Sequence, residues 1–133
     1  MPALRTYSVF ISHAWDYHKP YCRMVEFLND APNFSWRNYS VPKTDPKPGV
    51  SLEDELRNQI RPTHVVIVLA GMYVAYSEWI LTEIEIANAM NKPIIGVEPW
   101  GSKRVPAAVT EAAKETVGWN TSSVVAAIRK WAI

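Results

Sequence analysis

Residues 64–70, His-Val-Val-Ile-Val-Leu-Ala, are a continuous apolar run without alternation. The run has the length of a strand and is dominated by β-branched residues. That is the signature of a strand at the centre of a parallel sheet, buried on both faces. Parallel strands need crossover connections, so helical patterns are expected on either side of the run.

The rest of the chain supplies them. Residues 7–11 read as a first strand, followed by a loop at 12–16 and a helix reaching about Asn29. Residues 34–41 alternate like a strand exposed on one side, as at a sheet edge. Residues 42–49 hold Pro42, Pro46, Pro48 and Gly49, which forbid regular structure and predict a stiff loop. Ser51 is a suitable N-cap for a helix with Leu52, Leu56 and Ile60 on one face, ending before Pro62. After the central run come a helix over residues 77–90 and a strand at 93–97. A helix at 106–114, a short strand at 116–118 and a helix at 122–131 complete the pattern. Five strands alternating with five helices predict an α/β fold, a doubly wound, flavodoxin-like five-stranded parallel sheet of order 2-1-3-4-5. At 133 residues the chain reads as a single domain, 1–133.

Within the helix over 77–90, one residue breaks the pattern. At about 100° per residue, Trp79, Ile80, Ile84, Ile86, Ala87 and Met90 share a broad apolar arc, and Glu83 falls in its middle. Glu78 and Glu85 project to the opposite face, where charge is expected. A buried carboxylate without a partner is costly or takes up a proton, so Glu83 calls for a reason. It is either structural, in an ion pair or at a helix end splayed toward water, or it forms the wall of a pocket with Trp79 one turn earlier. The expected topology favours a site. In open α/β sheets ligands bind outside the carboxyl ends of the strands, at the switch point between strands one and three. The loop carrying Ser12, His13 and Trp15 leaves that edge and offers a hydroxyl, an imidazole and a flat ring to a ligand with polar and aromatic parts. The plainer reading is that Ser12 and His13 terminate a strand and Trp15 packs on the sheet. His18 and His64 read as structural.

Several other classes are excluded by missing parts. A net charge of +1 with no basic stripe gives no case for nucleic acid or a membrane surface. There is no glycine-rich dinucleotide fingerprint, no phosphate loop and no nucleophile elbow. The third strand ends in Ala70-Gly71-Met72 and lacks the aspartate of a phosphoacceptor receiver domain. Three His and one Cys are scattered without metal spacing, and Cys22 reads as a core thiol. No apolar run approaches the ~20 residues of a membrane span, and the N-terminus lacks a signal-peptide core, so a cytoplasmic protein is expected.

Three features together carry a resemblance: Val9-Phe10-Ile11-Ser12-His13 at the end of the first strand, the proline-rich loop after the second, and Ser77-x-Trp79-x-x-x-Glu83 after the third. The chain resembles a TIR domain, more narrowly the compact prokaryotic TIR-like family that includes the sensor subunits of Thoeris antiphage defence. Lys92-Pro93-Ile94-Ile95 and Gly118-Trp119-Asn120 are similar to that branch as well. The resemblance implies that Glu83 is the catalytic residue for cleaving the nicotinamide-ribose bond of NAD, which enters as substrate, with no separate cofactor and no metal. It implies an ADP-ribose-derived product sensed by a downstream effector, and activation through a homo-oligomer. His13-Ala14-Trp15 departs from the acidic run common in animal TIR domains. The alternatives are a non-catalytic assembly module, in which Glu83 is structural, and a nucleoside deoxyribosyltransferase-like enzyme.

Overall fold

A computed structural model describes residues 6–11, 18–39, 52–69, 73–98 and 107–133. In chain order the elements are β1 (Thr6–Ile11), α1 (His18–Asp30), β2 (Ser35–Asn38), α2 (Leu52–Ile60), β3 (Val65–Leu69), α3 (Tyr73–Ala89), β4 (Ile94–Val97), α4 (Ala107–Ala112), β5 (Glu115–Val117) and α5 (Thr121–Trp131). The five strands form one parallel sheet of order β2-β1-β3-β4-β5, the order expected from the sequence. The switch point lies between β1 and β3, where Val9 pairs with Val65 and Ile11 with Ile67.

Burial explains this order. Every residue of β3 and of β4 is buried, as a strand covered on both faces requires. β2 pairs only with β1 and leaves Ser35, Arg37 and Asn38 exposed, so polar side chains sit at the edge. It is shorter than the alternation over 34–41 predicts. A single neighbour supports it, and among the described residues the ladder adds one bond after Asn38, from the Tyr39 N–H to the Val9 carbonyl at 2.9 Å. α1 packs on α5, while α3 packs on α2, α4 and β3. The core they enclose includes Phe10, Met24, Leu28, Leu56, Ile60, Ile95, Val109 and Ile128. Leu56 and Ile60 are the buried face of α2, as the spacing predicts; Ser51 lies outside the described residues. Cys22 is half-buried and forms no disulfide, so it borders the core rather than filling it.

The helix ends are set by distant partners. α4 stops at Ala112, two residues before its pattern runs out, because the Lys114 N–H bonds the Ile94 carbonyl at 2.7 Å and hands the chain to β5. Gly96 lets α4 approach β4 closely; a Cβ there would lie 3.0 Å from Val109 Cγ1 and 3.3 Å from Thr116 Oγ1. α5 is capped by Asn120, whose side chain accepts from the Ser123 N–H at 2.9 Å. No helix among the described residues is long and apolar enough to cross a membrane.

Candidate active site

Glu83 is fully buried, at 0% exposure. Around it on α3, Ile84, Ile86 and Ala87 are buried and Leu81, Glu85 and Asn88 are exposed, while Met90, just past the helix, is half-buried. This is the arc expected from the helical period, with the carboxylate inside it and Glu85 outside. The helix begins at Tyr73, four residues before the Ser77 start that its pattern suggests, because Tyr-Val-Ala-Tyr contains neither glycine nor proline to stop it. Glu83 therefore lies in the third turn, not the second. At 1.5 Å per residue its Cα is about 15 Å along the axis from that of Tyr73.

The helix is the next element after β3 and packs back against that strand. One carboxylate oxygen of Glu83, Oε2, is enclosed and accepts no hydrogen bond, while the residue as a whole takes part in an interaction that engages the side chain or backbone. The carboxyl group is enclosed without solvent contact, and Ile84, Ile86 and Ala87 beside it on α3 are buried as well. A carboxylate in such surroundings interacts strongly with any positive charge brought next to it, because little solvent screens the pair.

Trp79 precedes Glu83 by four residues, which puts its Cα on the same side of α3; its side chain lies outside the described residues. Ser12, His13 and Trp15 also lie outside them. They follow Ile11, the last residue of β1, whose pairing with Ile67 puts it beside β3. The proline-rich loop at 42–50 lies outside them too. Two surface cavities lined by described residues are elsewhere. One, of about 390 Å³, runs between the end of α1 and α5 along Ala31, Pro32, Val125 and Arg129. The other, of about 410 Å³, is at the opposite edge of the sheet, near Lys92, Lys114 and Trp131. Neither includes Glu83.

With fold and carboxylate in hand, comparison with known proteins gives a family. Residues 10–104 match the family model described as Thoeris protein ThsB, TIR-like domain. The chain belongs to this prokaryotic TIR-like family, and the match runs from the end of β1 through the helix carrying Glu83. No curated protein matches the sequence. Among solved structures, the CMP N-glycosidase BcmB of Clostridium botulinum is similar in fold, with a TM-score of 0.57 at 17% identity. The likeness covers 93% of this chain and 99% of that one.

Proposed function

We propose that this chain is a glycohydrolase of the TIR-like type that breaks the bond between nicotinamide and ribose in NAD, with Glu83 as its catalytic carboxylate. The observation that carries the reading is the complete burial of that carboxylate on the helix leaving the central strand. The family match and a neighbour of the same fold that is itself an N-glycosidase support it.

The chemistry needs one acidic group. As the bond from the ribose C1′ to the nicotinamide nitrogen breaks, the electron pair leaves with a neutral base, so no general acid has to protonate it. Positive charge develops on the ribose, and a carboxylate beside it stabilises that charge electrostatically and accepts hydrogen bonds from the sugar hydroxyls. Water then adds to C1′ and loses a proton, giving ADP-ribose. An internal nucleophile in place of water gives a cyclised isomer. Ser12, His13, Trp15 and Trp79 are the residues this reading assigns to holding the substrate. The product acts as an antiphage signal for a downstream effector, in the cytoplasm.

A carboxylate with no exposed surface cannot touch a sugar arriving from solvent, so turnover in this reading includes a step that uncovers Glu83. Assembly of several copies or a trigger would supply that step, and specific activity should rise with protein concentration. The second reading, a non-catalytic assembly module, draws on the same burial, since an enclosed and engaged Glu83 also suits a structural role. The experiment is incubation of concentrated protein with NAD, or with CMP in parallel, and chromatography for the released base. Nicotinamide released by the wild type and not by Glu83→Gln supports the first reading. Equal release by both, or release of cytosine alone, rejects it.

A further inference from the structure

Ser8 and His64 exchange two hydrogen bonds at the amino end of the β1–β3 pair. The His64 N–H donates to the Ser8 carbonyl at 2.7 Å. In return the Ser8 N–H donates to the imidazole Nδ1 of His64 at 2.9 Å. In a parallel ladder that N–H would find a carbonyl of the neighbouring strand. Here the chain before His64 is still leaving α2. The Thr63 N–H and hydroxyl both donate to the Ile60 carbonyl, at 3.0 and 2.6 Å, and hold this turn away from the sheet. The imidazole thus stands in for a missing strand residue. The same His64 also accepts, at its carbonyl, the N–H of Ile133 at 3.2 Å, so it ties the segment after α5 to the sheet.

An imidazole nitrogen that accepts an N–H must be unprotonated, which leaves the ring neutral with its hydrogen on Nε2. Protonation of Nδ1 would set one N–H against another, and Ser8 is only 7% exposed, so water could not readily replace the lost acceptor. We propose that His64 is a proton-sensitive clasp: its neutral side chain closes the amino edge of β1 and β3 and anchors the C-terminal segment, and acid opens it. Among the described residues, the charged and titratable groups on the elements packed beside it include Tyr7 on β1, Arg61 after α2, Lys92 before β4 and Lys130 on α5. Lys130 is paired with Glu115 at 3.8 Å. The directional bond at Nδ1 requires the neutral ring.

The sign follows from linkage. A histidine held neutral in the folded protein has its folded value depressed below its unfolded one. Its contribution to stability is complete above the ordinary histidine value near ~6.5 and is lost as pH falls below it. Asparagine places Oδ1 about where Nδ1 sits, and so keeps an acceptor that does not titrate. Chemical denaturation of the full chain should therefore be measured at pH 7.5 and pH 5.0 for the wild type and His64→Asn. The unfolding constant of the wild type should rise by about tenfold or more relative to the variant, with roughly 30-fold the ceiling at pH 5 for a histidine that stays neutral when folded. His13 and His18 remain in both proteins and cancel in the ratio. Nitrogen-detected NMR of the wild-type ring should show hydrogen on Nε2 and a titration midpoint well below ~6.5. A hydrogen on Nδ1, a midpoint at or above that value, or equal pH dependence in the two proteins would overturn the proposal.

Discussion

α3 and α5 both pack on the sheet, and they treat polar residues in opposite ways. α5 has 11 residues, a side-chain cap at Asn120, Arg129 and Lys130 in its last turn, and a buried stripe of Val124, Val125, Ala127 and Ile128. Each of these features stabilises it: the cap satisfies an N-terminal N–H, the cations complement the helix dipole and the stripe removes apolar surface from water. α3, at 17 residues, has no acidic residue in its first turn and no basic residue in its last. Its buried arc is interrupted by Glu83, where a leucine or methionine would pack without the cost of taking a carboxylate out of water. α5 is what a helix looks like when stability alone shapes it. In the proposed reading, the carboxylate inside the apolar arc of α3 is kept for catalysis as well.

The comparison can be broken most sharply at Glu83. Glu83→Gln keeps volume and removes charge, so nicotinamide release should fall by about a thousandfold or more, while urea unfolding stays within roughly 1 kcal/mol of the wild type. Wild-type turnover by the variant would end the catalytic assignment. A loss of roughly 3 kcal/mol or more without any catalytic effect would make Glu83 a structural residue like those of α5.

Ile128→Ala is the counterpart in α5. Its side chain is fully buried, so the truncation should lower stability by about 2–5 kcal/mol. Turnover per folded molecule, measured well below the melting range, should not change. A large drop in turnover at full occupancy of the folded state would mean that α5 also shapes the site, and the division between the two helices would fail.

The smallest expected effect is at the cap. Asn120→Ala removes the acceptor for the Ser123 N–H and should cost about 1 kcal/mol, read as a lower urea midpoint with an unchanged slope. Asn120→Asp should restore most of the loss, because a carboxylate accepts the same bond and suits the helix N-terminus. No recovery would show that the side chain acts by packing.

Glu83 was legible because it violates a local rule: three flanking isoleucines define an arc, and the wheel shows the carboxylate inside it without any knowledge of the fold. The substrate-holding assignments at Ser12, His13 and Trp15 rest instead on where loops emerge from a doubly wound sheet and on family resemblance. Residue pattern alone does not say which way a loop side chain turns. His64 illustrates the converse. In sequence it merely opens an apolar run, and its role as an acceptor depends on Ser8, 56 residues away.

The sequence by itself determined the unbroken apolar strands β3 and β4, the alternation of strand and helix that leads to order 2-1-3-4-5, and the residue at which charge enters the apolar arc of α3. These follow from periodicity, because the side-chain repeat of a helix or strand is a property of its own backbone. Only the tertiary structure decided where elements stop. β2 ends after four residues because it has one neighbour, α4 ends where Ile94 claims the Lys114 N–H, and α3 runs back to Tyr73 beyond its pattern. The end of an element is settled by which backbone groups find partners, and those partners come from strands and turns far away in the chain.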